Sequence, residues 1–247
     1  MLKTAFKLAH SIAPTGGGTC LEFGVFIGET FKWQASEIKK HFPESSLIGF
    51  DSWQGLPAED PKVWAPSRHE KGGYASTKDV VLQKLRSIGM ADDKRIRLID
   101  GFFSESLTTN LQKEIDNVIF INIDVDIYSS TMELLNFVKP LLRPGCVIYW
   151  DDWKDPRDEH DGLWGEHRAC EEWLSQNPNI EAETIEINPV NQRYMVITKA
   201  NGSTLTSAGL SMPTIRANAF QINAARCQPL YSKILFRLQS AYKGGRQ

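Results

Sequence analysis

The chain has 247 residues, of which 41% are hydrophobic and 10% aromatic, an ordinary composition for a globular protein with one large α/β domain. A formal net charge of −2 argues against wholesale binding of nucleic acid. The charge is uneven, because residues 201–247 contain six Lys or Arg and no Asp or Glu, whereas the first 200 residues carry 22 basic and 30 acidic side chains. Such a basic tail is expected to pack on its own or a neighbouring subunit, or to contact an anionic partner.

Helices and strands are predicted to alternate along most of the chain, after an amphipathic helix at residues 4–13. The predicted strands are Thr19–Val25, Ser46–Asp51, Arg95–Asp100, Val118–Asp124, Cys146–Asp151, Glu183–Ile187 and Arg193–Thr198. The predicted helices between them are Glu29–His41, Thr77–Ile88, Glu105–Ile115, Ser129–Leu142 and Gly165–Asn177. Five βα units and a terminal antiparallel hairpin predict an α/β fold with a doubly wound, mostly parallel, seven-stranded sheet.

This pattern divides the chain into an N-terminal lead-in at 1–18, a main domain at 19–200 and a basic extension at 201–247. Two connections, 52–76 and 154–164, are too long for simple turns and are predicted to be lids at the carboxyl edge of the sheet. Residues 230–242 of the extension have the pattern of a short amphipathic helix, which we expect to dock within a homo-oligomer rather than on a membrane.

The cysteine spacing and the hydropathy indicate the compartment. The four cysteines are widely spaced and contain no CxxC pair, so neither a disulfide framework nor a zinc ribbon is expected. No apolar stretch reaches 18 residues, and the N-terminus lacks the apolar region of a signal peptide. We therefore expect no membrane span and a reducing, cytoplasmic location.

Acidic residues follow two strongly apolar predicted strands, at the point where each strand ends. Asp124 and Asp126 follow the fourth strand, and Asp151 and Asp152 follow the fifth. Because ligands of open α/β sheets bind at the carboxyl ends of the strands, these four carboxylates are expected to meet at the ligand-binding edge. Crowded carboxylates are costly unless a cation neutralises them, so the pattern indicates a divalent cation with oxygen ligands.

The end of the first predicted strand has features of a nucleotide site. Gly24 and Gly28 lie in the turn where glycine lets a ligand approach the backbone, although both also suit an ordinary turn. Asp51 ends the second strand, where a carboxylate accepts hydrogen bonds from ribose hydroxyls, and Asp100 ends the third. Phe26 interrupts any Gly-x-Gly-x-x-Gly pattern, and a Walker lysine is absent, so a nucleoside without phosphates is favoured over a dinucleotide or a P-loop ligand.

Five segments carry a family resemblance, and in chain order they are Glu22–Gly28, Asp51–Pro57, Gly101–Phe103, Asp124–Thr131 and Pro144–Trp153. Together they resemble the macrocin O-methyltransferase family, metal-dependent enzymes that use S-adenosylmethionine to methylate sugar hydroxyls of natural products. The resemblance covers roughly residues 19–198 and not the tail. Val125 and Trp153 stand where Gly and Tyr are common in that family, and neither change removes an acidic ligand.

The resemblance implies a role for individual residues. Asp124, Asp151 and Asp152 would bind Mg²⁺ or another divalent cation, and Asp126 would be the general base. The implied cofactor-binding residues are Glu22 and Gly24 beside the methionine moiety, Asp51 at the ribose, Asp100 and Gly101 at the adenine, and Ser52. This set fits the chemistry, because a hard cation binds a sugar hydroxyl and lowers its pKa while a nearby carboxylate takes the proton.

Three further residues are candidates for contact with a small hydroxylated acceptor. His69 lies in the first long loop, where a histidine is more commonly only solvated. Trp53 has the side chain to stack on a sugar or aromatic acceptor, and packing in the core or a lid is an equal expectation. Tyr128 completes the acid-x-acid-x-Tyr segment and is the third candidate.

Three alternatives stay open at the level of sequence. Single aspartates at strand ends commonly cap the following helix, although four at two strand ends favour a cation site. An acid-x-acid motif also occurs in metal-dependent glycosyltransferases that use nucleotide sugars. An inactive cofactor-binding subunit that acts as a scaffold in a biosynthetic assembly is the alternative outside enzymes.

Overall fold

The computed structural model describes residues 1–13, 17–60, 70–153, 165–187 and 192–223. The strands are β1 (Thr19–Phe23), β2 (Ser46–Asp51), β3 (Ile96–Asp100), β4 (Val118–Ile123), β5 (Val147–Trp150), β6 (Glu181–Ile187), β7 (Arg193–Ala200) and β8 (Ser203–Thr204). The helices are α1 (Leu2–Ile12), α2 (Glu29–His41), α3 (Lys78–Ser87), α4 (Phe103–Ser106), α5 (Thr109–Glu114), α6 (Tyr128–Val138) and α7 (Gly165–Gln176), followed by a helical segment at 212–223.

The strands form one sheet in the order β3-β2-β1-β4-β5-β7-β6, with the two-residue strand β8 paired to β7. The first five strands are parallel to one another, whereas β7 runs antiparallel to both β5 and β6. The predicted doubly wound, mostly parallel sheet with a terminal antiparallel hairpin is therefore confirmed. The short β8 was not predicted, because two exposed residues leave no hydrophobic pattern.

One predicted helix is wrong in detail. The segment expected to form a single helix from Glu105 to Ile115 is divided into α4 and α5. The division falls at Thr108, whose backbone is extended and whose side chain accepts a hydrogen bond from the N–H of Leu111. A threonine in this role begins a helix rather than continuing one, because it supplies an acceptor for an amide that has no partner within the helix.

Both faces of the sheet are covered by helices. One core lies between the sheet and α4 to α7, and the other between the sheet and α1, α2, α3 and the 212–223 segment. Phe6 of α1 packs edge-to-face on Phe120 of β4, and Ile215 is fully buried in the same core. The lead-in helix and the first part of the basic extension thus belong to the same hydrophobic core as the main domain.

Several expectations lie outside the described residues. They include the second long loop, the amphipathic segment at 230–242, and His69. Assembly through the basic extension therefore stays a prediction, as does the cytoplasmic location. Among the helices that the structure describes, none has the length and apolar character needed to cross a membrane.

The chain order of the strands reverses between β1 and β4, which are neighbours in the sheet although β2 and β3 intervene in sequence. At this boundary the N–H of Asp124 donates to the carbonyl of Phe23 at 3.0 Å, so the ends of the two strands are held side by side. Gly24 follows with φ +84°, and a Cβ atom there would overlap the carbonyl oxygen of Asp124. Ligands of doubly wound sheets bind at this reversal, and the candidate site lies there.

Candidate active site

A cleft of about 590 Å³ runs along the carboxyl edge of the sheet. Eight of the residues singled out from the sequence line it, namely Gly24, Asp51, Ser52, Gly101, Asp124, Asp126, Asp151 and Asp152. Four others that the structure describes are not among its lining residues, namely Glu22, Trp53, Asp100 and Tyr128. The cleft therefore joins the predicted nucleotide end to the predicted cation end. The four residues outside its wall make other contacts, which are described below.

Asp124, Asp151 and Asp152 form a compact acidic trio. Each offers a carboxylate oxygen, and these atoms all lie within 4.8 Å of one another. Asp124 follows β4 and the other two follow β5, and an N–H···O bond of 3.0 Å from Asp151 to Ile123 keeps the two strand ends adjacent. Burial, followed by repulsion from the other two members of the trio, raises the pKa of Asp124 well above its usual range. A cation bound between the three groups would oppose this repulsion.

Asp126 lies at the turn between β4 and α6 and faces the same cleft. Its backbone has φ +61°, in the left-handed region that non-glycine residues rarely adopt. Such a conformation persists where surrounding contacts hold it, and it is common at functional sites. The turn places the predicted general base beside the acidic trio rather than on the helix that follows.

Glu166, which no sequence motif marks, supplies the contact that holds this turn. Its carboxylate accepts hydrogen bonds from the N–H groups of Val125 at 2.9 Å, Asp126 at 3.3 Å and Asp152 at 3.2 Å. Glu166 is fully buried at the start of α7, and burial together with repulsion from Asp152 raises its pKa well above the usual range. An acidic residue in the first turn of a helix is common, so no sequence signal marked it.

Asp151 is oriented by two donors that act on the same oxygen. The hydroxyl of Tyr149 donates to Oδ1 at 2.6 Å, and Nε2 of Gln192 donates to it at 2.8 Å. Tyr149 is buried within β5, and this burial and the adjacent carboxylate raise the pKa of its hydroxyl. Outer hydrogen bonds of this kind fix the direction in which a carboxylate presents its other oxygen to a cation.

At the nucleotide end, Asp51 is held by backbone amides. Its Oδ2 accepts from Val25 at 2.9 Å and Phe26 at 2.7 Å, and its Oδ1 accepts from Trp53 at 2.7 Å. These bonds fix the loop after β1 against the end of β2. An ionised carboxylate has about four acceptor positions, so Asp51 still has capacity for ribose hydroxyls. Ser52 braces the same loop by donating to the carbonyl of Gly55 at 3.0 Å.

Asp100 lies at the rim rather than in the wall of the cleft. Its two oxygens accept from Nε1 of Trp53 at 2.9 Å and from Nζ of Lys78 at 2.8 Å. The adjacent Gly101, with φ +117°, does line the cleft. Trp53 thus joins the loop after β2 to the end of β3, and its contact with an acceptor stays a prediction.

Glu22 and Tyr128 point away from the cleft. Glu22 is fully buried and accepts hydrogen bonds from Thr30 at 2.7 Å and from Gln34, both on α2. Burial is the main reason that its pKa rises to about 8. Tyr128 donates to Oε2 of Glu172 on α7 at 2.6 Å. Glu22 thus ties α2 to β1, and Tyr128 ties α6 to α7. Their predicted contacts with cofactor and acceptor stay predictions.

An aromatic pair at the mouth of the cleft was also missed. Phe26 and Tyr74 meet edge-to-face with ring centroids 5.7 Å apart, and they are 37% and 50% exposed. Both have positive φ, at +50° and +57°. The sequence alone does not show that these rings are exposed beside a cleft, because their exposure depends on where the two loops lie. Glu133 of α6 adds a further carboxylate to the wall, with a pKa raised chiefly by burial.

The fold is that of class I methyltransferases. The chain resembles the O-methyltransferase NovP with a TM-score of 0.62 and 19% identity, over 82% of this chain and 79% of that one. It resembles the calicheamicin methyltransferase CalS11 with a TM-score of 0.61 and 19% identity, over 79% and 76% of the two chains. TomG from Streptomyces achromogenes, in complex with S-adenosylmethionine, gives 0.53 and 18%, over 81% and 79%.

The chain belongs to the macrocin O-methyltransferase (TylF) family, whose model matches residues 8–178. It is 25% identical over 162 residues to the 8-demethyl-8-(2,3-dimethoxy-alpha-L-rhamnosyl)-tetracenomycin-C 4′-O-methyltransferase of Streptomyces olivaceus, covering 60% of this chain. It is 25% identical over 155 residues to the demethyldecarbamoylnovobiocin O-methyltransferase of Streptomyces niveus, covering 58% of this chain. These matches span 59% and 58% of the relatives' own lengths.

Proposed function

We propose that the protein is an S-adenosylmethionine-dependent O-methyltransferase that acts on a hydroxyl of a small molecule, of the sugar or glycosylated natural-product class. The observation that carries the proposal is one cleft that contains both the glycine turn after β1 and the acidic trio after β4 and β5. Family membership favours methyl transfer over the glycosyltransferase alternative. The names of the two curated relatives support the acceptor class, and the TomG complex supports the cofactor.

The acidic trio fits a divalent cation, and we propose Mg²⁺ or a similar ion there. All of its ligand atoms are carboxylate oxygens, which hard cations prefer, and they lie close enough together to share one ion. Burial, followed by repulsion from Asp151 and Asp152, raises the pKa of Asp124, and a bound cation would oppose that shift. When bound, such a cation would orient an acceptor hydroxyl and lower its pKa.

Asp126 is the proposed general base. Asp126 would accept the proton of the acceptor hydroxyl, and bound S-adenosylmethionine would supply the methyl group, with S-adenosylhomocysteine as the second product. Because the methyl group is already activated, the protein mainly has to position the two reactants and limit water in the cleft. Gly24 lets the cofactor approach the backbone, and Asp51 has acceptor capacity for ribose hydroxyls.

Calorimetric titration of S-adenosylmethionine, with and without Mg²⁺, tests the proposal. We expect micromolar binding of the cofactor to the wild-type protein and Mg²⁺ binding that is lost in Asp124→Ala. Asp100→Asn is the matched control, because Asp100 ends a neighbouring strand but pairs with Trp53 and Lys78 outside the trio. It should keep the Mg²⁺ affinity of the wild type.

The outcomes separate the parts of the proposal. Absence of cofactor binding under both conditions would refute methyl transfer, and titration with nucleotide sugars would then test the glycosyltransferase alternative. Cofactor binding with unchanged Mg²⁺ affinity in Asp124→Ala would retain methyl transfer and remove the cation from the trio. Release of S-adenosylhomocysteine in a screen of glycosylated acceptors would distinguish an active enzyme from a scaffold subunit.

A further inference from the structure

Glu166 connects two loops that are far apart in sequence. It lies 41 residues after Val125 and 14 after Asp152, and its carboxylate accepts an N–H from each. Oε1 serves the turn after β4, and Oε2 serves the end of β5. Glu166 is fully buried and is not among the residues that line the cleft. Any effect that it has on the site is therefore exerted through the loops that it holds.

The loops that Glu166 joins carry every acidic group proposed to act at the cation end. The turn after β4 carries Asp124 and Asp126, and the end of β5 carries Asp151 and Asp152. Asp126 has a left-handed backbone that needs support, and Oε1 of Glu166 accepts from the N–H of Asp126 and from the one before it. One side chain thus supports the conformation of the base and sets the spacing of the trio.

The helix that carries Glu166 is itself fixed. Nε1 of Trp173, two turns along α7, donates to Asn136 of α6 at 3.0 Å, and Trp173 is buried. Glu172 accepts from Tyr128 at the start of α6 at 2.6 Å. Because α7 is packed rigidly on α6, a carboxylate at its first turn is a fixed point for both loops.

We propose that Glu166 is a positioning residue that holds the turn after β4 and the end of β5 in one register, so that the acidic trio converges on a single cation. This inference rests on the proposed function for the presence of the cation, but not for the bridge between the loops. The bridge between the loops requires both carboxylate oxygens of a side chain as long as that of glutamate. A glutamine has one acceptor oxygen and an NH₂ group, so it can serve only one of the two loops.

The test compares Glu166→Gln with Glu171→Gln. Glu171 is an exposed residue on the same helix, and its ion-pair contacts are with His167 and Arg193. We expect Mn²⁺, measured by electron paramagnetic resonance, to bind about 10- to 100-fold more weakly to Glu166→Gln. Affinity for S-adenosylmethionine should remain within about twofold of wild type, because the nucleotide end is held separately through Asp51. Glu171→Gln should match the wild type in both.

Amide hydrogen exchange in the metal-free protein provides a second readout that needs no cation. The amides of Val125, Asp126 and Asp152 should exchange faster in Glu166→Gln, with the β1 to β3 strands unchanged. Glu166→Asp keeps the carboxyl group but is one methylene shorter, so it should lose the bridge as well. It also replaces Glu166→Gln in both measurements if that variant does not fold.

Wild-type Mn²⁺ affinity and wild-type exchange in Glu166→Gln would overturn the inference, as would full recovery in Glu166→Asp, which would show that the carboxyl group alone is needed. If the wild-type protein binds no Mn²⁺, the cation part of the proposed function fails, and amide exchange alone decides the role of Glu166. Faster exchange at both loops then supports the bridge, and unchanged exchange refutes it.

Discussion

The two ends of the cleft are both rich in carboxylates, but the protein treats them differently. At the nucleotide end, Glu22, Asp51 and Asp100 are each satisfied separately by protein donors: two side chains of α2, three backbone amides, and the Trp53 and Lys78 side chains. At the cation end, the trio's oxygens crowd within 4.8 Å of one another, and even Asp151 has its two donors on a single oxygen.

The difference shows that the number of carboxylates at a sheet edge does not identify a cation site. A carboxylate such as Asp51, which accepts three backbone N–H bonds, has its hydrogen-bond partners supplied by the protein itself. Carboxylates crowded as in the trio form an arrangement that a cation from solution would stabilise. Substitutions at the two ends should therefore have opposite consequences, and the predictions below test this.

The largest effect is expected for Asp126→Asn. Removal of a general base typically costs about 10²- to 10⁴-fold in turnover. The asparagine is the same size and keeps the backbone N–H that Glu166 accepts, so affinity for cofactor and cation should stay close to wild type. Release of S-adenosylhomocysteine with an acceptor found by screening measures the turnover. Normal turnover in this variant would remove Asp126 from the mechanism.

The next prediction is that Asp51→Asn and Asp124→Asn change the free energy of unfolding of the metal-free protein in opposite directions. In Asp51→Asn one carboxylate oxygen becomes an NH₂ group, so the backbone N–H bonded to that oxygen loses its acceptor. The free energy of unfolding should therefore fall by about 1–3 kcal/mol. Asp124→Asn replaces a carboxyl group whose ionised form burial and repulsion disfavour, so it should raise the free energy of unfolding at pH 7. Urea denaturation in the presence of a chelator measures both.

The stability change caused by Asp124→Asn depends on pH and on the cation. A pKa raised in the folded state costs stability only above the pKa of the unfolded chain, so the gain in Asp124→Asn should disappear below about pH 4. Adding Mg²⁺ should stabilise the wild type and not the variant, because only a ligand that binds the folded state shifts unfolding. If Asp124→Asn destabilises the metal-free protein as Asp51→Asn does, the distinction between the two ends is wrong.

Much of the site could be predicted because position along a parallel strand determines which edge a residue reaches. Asp51, Asp124 and Asp151 each follow a buried run, and the sheet brings them to one edge without any detail of side-chain packing. The direction in which a side chain points was harder. Glu22 alternates with Leu21 and Phe23, which belong to the core on the other face, so the pleat of β1 turns Glu22 toward α2.

The remaining features depend on contacts between distant segments. Tyr128, at the start of α6, donates to Glu172 of α7, which lies 44 residues later. Glu166 has its role only because α7 packs where its first turn meets both loops. Neither contact leaves a periodic pattern or a short motif, so local sequence reasoning had nothing to detect.

The last expected effect is a pH dependence of the free energy of unfolding, carried by Glu22. Its pKa of about 8 exceeds the ordinary 4.5, chiefly through burial, so the folded protein holds a proton that the unfolded chain has lost between about pH 4.5 and 8. Stability from this group therefore falls as the pH rises through that window, by at most about 1.4 kcal/mol per pH unit. Glu22→Gln removes this dependence, and Gln34 can accommodate the new amide because its Oε1 has no hydrogen-bond partner among the described residues. Thermal unfolding at pH 5 and pH 8 should show the stability of the variant rising relative to that of the wild type as the pH rises. A constant difference between the two proteins would mean that the hydrogen-bond donors from α2 keep Glu22 ionised.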